Sequence, residues 1–191
     1  PYVHAILTTN NVNRLLPTII SRSQVVQFSS LNKHVIEEDL KEAGYDRETA
    51  RVVAHLTNSV EDGIDIATSE YFLDILDAVK DLYRLMETEE SSLVLYFNEN
   101  HSIIYQDKEI SELFLSCLIL YQKDFIHFQE GDDAHIVYWN ELANIEYIAN
   151  YKTKKRLIDE LEYMLSLKSR INSYINERLA YDNLLLKLER R

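Results

Sequence analysis

The spacing of apolar residues predicts that the last two thirds of the chain are helical. Apolar residues recur three and four positions apart, as on one face of a helix, in segments 72–86, 110–121, 142–149 and 157–171. An Asn-rich break at 172–176 precedes a last predicted helix, which runs to about Glu189. We expect segments 93–107 and 129–136 to be long loops.

Helix-capping residues divide residues 29–68 into three short predicted helices. Residues 29–32, Ser-Ser-Leu-Asn, offer caps for the first helix, and Gly44 ends it because glycine accepts the left-handed conformation found at helix ends. Asp46 begins the second helix and Ser59 begins the third. A short polar joint then separates this part of the chain from the long helices.

The first 28 residues have a different pattern. A β-branched run at 6–9 stops at an Asn pair, Pro17 begins a short helix, and a second apolar run follows at 25–28. This order predicts a strand, a helix and a strand, as in an α/β sheet. Two strands cannot close a sheet around a core, and the chain does not start with Met, so we expect it to be a fragment of a longer protein.

One arginine has a special place in this pattern. The helix that starts at Pro17 ends at Ser21 and Arg22, on the predicted rim of a parallel sheet. A guanidinium at such an exposed helix end can reach a phosphate that is held elsewhere, because its donors form a planar fork. The alternative is an ordinary surface arginine that interacts with the helix dipole.

Composition narrows the class of protein. The net charge is −12 and all 32 acidic residues lie beyond position 36, so the acidic body argues against autonomous nucleic-acid binding. With three Gly and two Pro, the chain has few loops. No apolar run approaches the ~18–20 residues of a membrane span. The single cysteine, Cys117, excludes an internal disulfide and fits a reducing cytoplasm.

Two segments carry a resemblance to a known family. Residues 6–27, with Ser21-Arg22-Ser23, resemble the end of the nucleotide-binding domain in the clamp-loader branch of AAA+ proteins. There a Ser-Arg-Cys motif supplies an arginine finger to a neighbouring subunit, and Ser23 stands where that motif has Cys. The ending at 174–188 looks like the close of the delta prime subunits of bacterial DNA polymerase III. The resemblance implies a mainly α fold: a C-terminal remnant of an AAA+ α/β domain at 1–28, a three-helix lid at 29–68 and an α-helical collar at 69–191.

The resemblance assigns roles to four residues. Arg22, in a motif with Ser21, would contact the γ-phosphate of ATP that an adjacent motor subunit binds with Mg²⁺. Thr9 and Asn10 stand where AAA+ proteins place a polar sensor of that phosphate. They are interpreted equally well as turn residues that close the predicted strand.

Segment 58–65 departs from the pattern of motor subunits, which carry a second sensor arginine at this place. It contains three acids and no arginine, and these negative charges would repel a triphosphate. The chain contains no phosphate-binding Gly-Lys-Thr loop either. We therefore expect the chain to donate an arginine, to bind no cofactor itself and to have no autonomous catalytic activity.

We expect no metal site. The acidic turn around Asp132 lacks the ligand spacing of a Ca²⁺ loop. His127, His135 and Cys117 share no zinc-type spacing. The basic run at 152–156 is interpreted as a solvated helix face that could make a salt-dependent contact.

Aromatic residues offer a possible subunit interface, since such residues concentrate at interfaces. The candidates, which a place in the core explains equally well, are Tyr138, Trp139, Tyr147 and Tyr151.

The resemblance implies a stator subunit in the five-membered ring of the bacterial clamp loader. Its partners would be the gamma/tau and delta subunits, and the ring would load the sliding clamp onto primed DNA as part of the DNA polymerase III holoenzyme. The DNA would be reached through the complex, at the replisome in the cytoplasm, with no membrane involved. Two alternatives remain: the tail of a gamma/tau-type motor ATPase, and a non-replicative AAA+ protein or helical scaffold.

Overall fold

A computed structural model of the protein describes residues 4–9, 12, 15–26, 31–88, 92–171 and 176–189. Every regular element among these residues is helical, which confirms the predicted mainly α fold. Their α-helices are α1 (Pro17–Ile20), α2 (Lys33–Glu42), α3 (Arg47–Leu56), α4 (Val60–Thr68), α5 (Phe72–Thr88), α6 (Leu93–Asn100), α7 (Lys108–Glu130), α8 (Leu142–Tyr151), α9 (Lys154–Arg170) and α10 (Glu177–Glu189). Short 3₁₀ helices occupy Ser102–Tyr105, Asp133–His135 and Trp139–Glu141.

The chain forms two compact units, residues 1–30 and 31–191. In the first unit the predicted helix forms as α1, but the described residues of the two predicted strands, 6–9 and 25–26, are not strands. A strand is defined by its pairing with a neighbouring strand, which an apolar run does not by itself encode. The apolar runs alone were therefore insufficient to predict strands.

The caps of α2, α3 and α4 confirm the three predicted short helices. The Asn32 side chain accepts a hydrogen bond from the His34 N–H, and Asp46 accepts from two N–H groups at the start of α3. Ser59 accepts from the Asp62 N–H at 3.3 Å. These contacts satisfy donors that the first turn of a helix leaves without partners.

Close packing holds the three short helices together. Leu40 of α2 and Val53 of α3 are fully buried, and both lie beside Gly63 of α4. A Cβ atom added at Gly63 would lie 3.3 Å from Val53 Cγ1 and 3.5 Å from the Leu40 methyl groups. The absence of a side chain at Gly63 thus sets how closely α4 approaches its neighbours.

Helix α7 is the centre of the larger unit, where it packs against α5, α8 and α9. Buried rings cluster around it: the centroid of Tyr121 lies 4.7 Å from that of Tyr83 and 4.6 Å from that of Tyr138. Phe125 meets Tyr83 edge to face at 4.8 Å. Offset and edge-to-face pairs of this kind add to the stabilisation from apolar burial.

A buried polar network joins α5, α7 and α9 beside this cluster. Lys152 Nζ lies 2.8 Å from both carboxylate oxygens of Glu160, and the two side chains are 1% and 3% exposed. Gln122 Nε2 donates to Glu160 at 3.1 Å, and Tyr83 donates to Gln122 Oε1 at 2.8 Å. Burial lowers the pKa of Lys152 more than the attraction of Glu160 raises it.

The predicted loop at 93–107 is wrong, because its first half forms α6. Leu93 and Phe97, four residues apart, are buried on one side of this helix, a pattern too short to stand out in the sequence. The Asn98 side chain donates to the Val94 carbonyl within the helix. The predicted loop at 129–136 is shorter in the structure, because α7 extends to Glu130, Gly131 at φ 70° ends it, and a 3₁₀ helix follows at Asp133–His135.

Contacts within the larger unit cross the predicted boundary between lid and collar at 68/69. Lys80 Nζ of α5 lies 2.9 Å from Glu48 Oε2 of α3, and the Arg51 guanidinium donates to the Ala134 carbonyl at 3.2 Å. The boundary itself stays a prediction. No helix of the described segments combines the length and the apolar character that crossing a bilayer requires.

Candidate functional site

Helix α1 ends in a set of local hydrogen bonds around Arg22. The Ser21 hydroxyl donates to the Thr18 carbonyl at 3.3 Å, and the Ser23 hydroxyl donates to the Ile19 carbonyl at 2.8 Å. The Arg22 N–H also donates to the Ile19 carbonyl, at 3.1 Å. Both serines of the Ser-Arg-Ser motif therefore fold back on α1, and they hold the backbone from which the Arg22 side chain extends.

The Arg22 side chain is exposed, as predicted from its place at the helix end. No described residue forms a hydrogen bond or an ion pair with its guanidinium. A planar guanidinium without an internal partner can offer a fork of N–H donors to an external phosphate or carboxylate. The geometry thus permits the finger role, which stays a prediction.

The two sensor candidates differ in what the structure describes. Thr9 is exposed and lines one groove of the first unit together with Ser23 and Ile19. The structure therefore brings Thr9 close to the motif that contains Arg22. Asn10 lies outside the described residues. The sensor role of both residues stays a prediction.

The start of α4 carries negative charge and no arginine. Glu61 and Asp62 occupy its first turn and are exposed, as is Asp65 on the following turn. Carboxylates at a helix N-terminus are stabilised by the helix dipole, and they occupy the place where a phosphate would otherwise be favoured. This arrangement disfavours a triphosphate at α4.

The aromatic candidates separate into one core residue and three surface residues. Tyr138 is fully buried, and its hydroxyl donates to the Cys117 carbonyl at 3.2 Å, so of its two interpretations the structure supports a place in the core. Trp139, Tyr147 and Tyr151 are 40%, 46% and 55% exposed. The rings of Tyr147 and Tyr151 lie parallel on α8, with centroids 6.3 Å apart. Their exposure leaves apolar ring area available to a partner.

The basic run at 152–156 is not the uniformly solvated face that the sequence suggested. Lys152 is buried against Glu160, and Arg156 donates to the same carboxylate at 2.9 Å. Lys154 is half exposed and pairs with Glu130 at 2.6 Å. All three cations therefore form ion pairs with carboxylates of this chain.

Sequence reasoning missed a buried carboxylate in α7. Asp124 is fully buried and accepts hydrogen bonds from the backbone N–H groups of Val137 and Tyr138, at 3.0 and 2.8 Å. It thereby anchors the segment between the 3₁₀ helices onto α7. Burial raises the pKa of Asp124 to about 7, although the two N–H groups oppose this rise. The sequence signal that could have indicated this buried carboxylate was an acidic residue inside an apolar helix.

The pKa of Asp124 predicts a dependence of stability on pH. Between its unfolded value near 4 and its folded value of about 7, only the folded state keeps the proton. The free energy of unfolding should therefore fall by about 2–3 kcal/mol from about pH 5 to about pH 8 on account of this group. Asp124→Asn, whose amide does not titrate, should remove this fall, as measured by urea unfolding across the pH range.

A matched control for this test is Asp159→Asn, which replaces an exposed carboxylate on α9. We expect this variant to keep the wild-type fall of stability with pH. An Asp124→Asn chain with the full wild-type pH dependence would contradict the assignment.

Three further polar side chains meet at the C-terminal end of α7. The structure brings His127, Asp132 and His135 together, whereas Cys117 is buried elsewhere in the same helix. Sequence spacing failed to indicate this cluster because Asp132 was considered as part of a Ca²⁺-type acidic turn, and the two histidines were considered as zinc ligands together with Cys117. The cluster is considered further below.

The described residues thus combine an exposed arginine at the end of a Pro-primed helix, three short capped helices and a long helical body. No protein-family model and no solved structure matches the chain. The chain is similar to DNA polymerase III subunit delta' of Bacillus subtilis (strain 168), with 26% identity over 185 residues. The aligned region covers 97% of this chain and 56% of that protein, so the chain spans little more than half the length of this curated relative. This similarity confirms the predicted resemblance to the C-terminal part of delta prime subunits.

Proposed function

We propose that this chain is the C-terminal part of a clamp-loader stator subunit of the delta prime type. The observation that carries the proposal is the similarity to DNA polymerase III subunit delta', which extends over 97% of the chain. In this role the subunit supports ATP-dependent loading of the sliding clamp onto primed DNA. It acts within the DNA polymerase III holoenzyme, at the replisome in the cytoplasm, and has no autonomous catalytic activity.

Arg22 supplies the chemical contribution of the subunit. A gamma/tau motor subunit holds ATP and Mg²⁺, and the guanidinium of Arg22 approaches the γ-phosphate from the neighbouring position in the ring. Negative charge spreads over the phosphoryl oxygens as the bond to the leaving group breaks, and a fixed cation stabilises this charge. The exposure of Arg22 and the lack of a described internal partner support this role.

The stator role is favoured over that of a motor ATPase by the start of α4. A motor subunit would place a cation here to contact its own nucleotide. The exposed carboxylates of Glu61, Asp62 and Asp65 stand there instead. Because like charges repel a triphosphate, the subunit completes the site of a neighbour and binds no ATP through this helix.

The helical body joins the collar that holds the ring together. Its exposed Tyr147 and Tyr151 border a groove that Met86 and Leu188 also line. Such aromatic and apolar area suits docking onto the gamma/tau or delta subunit. With a net charge of −12, the chain reaches DNA through the rest of the complex.

Assembly tests this proposal directly. The full-length subunit should elute with the gamma/tau and delta subunits of the same source as one complex in size-exclusion chromatography with light scattering. Tyr147→Ser combined with Tyr151→Ser should weaken this assembly at least tenfold, because it removes exposed ring area from the proposed interface.

The matched control is Tyr163→Ser. Tyr163 lines a different groove, with Asp159 and Lys187, so its loss should leave assembly unchanged. A full-length subunit that elutes alone in the presence of both partners would exclude the clamp-loader role.

A further inference from the structure

The turn after α7 holds two imidazoles on one carboxylate. His127 Nδ1 lies 3.2 Å from Asp132 Oδ2, and His135 Nδ1 lies 2.7 Å from Asp132 Oδ1. The two rings are stacked, with centroids 5.5 Å apart and planes inclined by 24°. All three side chains thus converge, although eight positions separate the histidines in the sequence.

The spacing of the ligand atoms fits a metal ion. One ligand atom from each of the three residues can be chosen so that all lie within 4.8 Å of one another. In a tetrahedral site with bonds of 2.0–2.1 Å, ligand atoms lie about 3.4 Å apart. An ion bound beside the Asp132 carboxylate, in the plane of each ring, would exchange the hydrogen bonds to Asp132 for coordination bonds.

The backbone holds this cluster in place. Gly131 adopts φ 70° and the Asp132 N–H donates to the His127 carbonyl at 2.9 Å, which closes the turn. The Ala134 carbonyl accepts a hydrogen bond from Arg51 of α3 at 3.2 Å. This contact holds the 3₁₀ helix that carries His135 against α3. Ligands on a fixed backbone lose little conformational entropy when an ion binds.

The cluster is also open to solvent and suitably charged. The side chains of His127, Asp132 and His135 are 32%, 39% and 69% exposed, so an ion can enter. The Asp132 carboxylate supplies the negative charge of the set, and both imidazoles approach its oxygens. Two imidazoles and one carboxylate are the ligand set of borderline divalent ions, with water completing the coordination.

We propose that His127, Asp132 and His135 form a binding site for one divalent transition-metal ion of the zinc class. The bound ion crosslinks the end of α7 to the following 3₁₀ helix and stiffens the connection toward α8. This site does not depend on the clamp-loader role, since none of its residues belongs to the Arg22 motif or to the Tyr147–Tyr151 surface.

Calorimetric titration of the 191-residue chain with Zn²⁺ tests the site. We expect one saturable site per chain, and at least tenfold weaker binding for either His135→Gln or Asp132→Asn, because each removes one of three ligands. Two matched controls are available in exposed positions: His34→Gln, from a histidine beside Glu38, and Asp133→Asn, from the next residue along the turn. Both controls should bind Zn²⁺ as tightly as the wild type.

Paramagnetic Cu²⁺ gives a second readout that resolves the residues. All six histidines lie in the described part of the chain: His4, His34, His55, His101, His127 and His135. At substoichiometric Cu²⁺, the ring signals of His127 and His135 should broaden together in NMR spectra while the other four persist. Uniform broadening of all six, or equal loss of Zn²⁺ affinity in the controls and the site variants, would show surface binding only and overturn the proposal.

Discussion

Replacing Arg22 by alanine in the full-length subunit is expected to slow ATP hydrolysis at the neighbouring site by about 10³-fold or more, while the ring still assembles. The proposed finger acts on charge that develops in the transition state, so its removal affects turnover rather than nucleotide binding. Arg22 is exposed and lies outside the larger compact unit, so its loss removes no core contact.

The measurement is DNA-stimulated ATP hydrolysis and clamp loading by the reconstituted complex, with assembly checked in parallel. Arg170→Ala is the matched control, because Arg170 is also an exposed arginine at the end of a helix. This control should retain wild-type turnover. Undiminished ATP hydrolysis and loading with Arg22→Ala would exclude the finger role, even if the subunit assembles into the ring.

Replacing Glu160 by alanine is expected to lower the free energy of unfolding by about 3–5 kcal/mol. The change leaves the ammonium of Lys152, which is 1% exposed, without its carboxylate partner. It also removes one of the acceptors of Gln122, whose amide links Glu160 to Tyr83. An unpaired buried charge is costly because the protein interior solvates it far less than water does.

Urea unfolding of the chain measures this loss. Glu130→Ala breaks an ion pair of similar length with Lys154, but both partners are about half exposed. This control should change the free energy of unfolding by at most about 1 kcal/mol. Combining Glu160→Leu with Lys152→Met should recover much of the stability, since it removes both charges together. Equal effects of Glu160→Ala and Glu130→Ala would contradict the role assigned to the buried network.

The short helices were the most predictable part of the fold. Asn32, Asp46 and Ser59 each cap the helix that the sequence placed after them, because a cap is a contact between residues two or three positions apart. The end of α7 at Gly131 follows in the same way from the conformational freedom of glycine. Such signals depend on neighbouring residues alone.

Two predictions failed where neighbouring residues were insufficient. The apolar run at 6–9 suits a strand, but a strand also needs a partner segment to supply hydrogen bonds. The segment that forms α6 is eight residues long, too short for its apolar spacing to indicate a helix. Burial of Leu93 and Phe97 in the core stabilises this helix.

The candidate site also has one part that the sequence predicted and one part that depends on tertiary packing. Arg22 was predictable because its motif, the proline before it and the end of α1 all lie within a few residues of one another. Tyr147 is exposed whereas Tyr138 is buried. The sequence could not predict this difference, since both are tyrosines within one aromatic-rich stretch. Only the packing of α8 and the preceding segment against α7 separates them.

The sequence by itself therefore determined the local order of this protein. It predicted where most helices begin and end, that the fold is mainly α, and which arginine follows α1. Tertiary structure alone joins Lys152 to Glu160 and sets Asp124 against the backbone at 137–138. It also brings His135 back to His127. These pairs form because the chain folds back and helices pack, and the burial that results sets their charge and their chemistry.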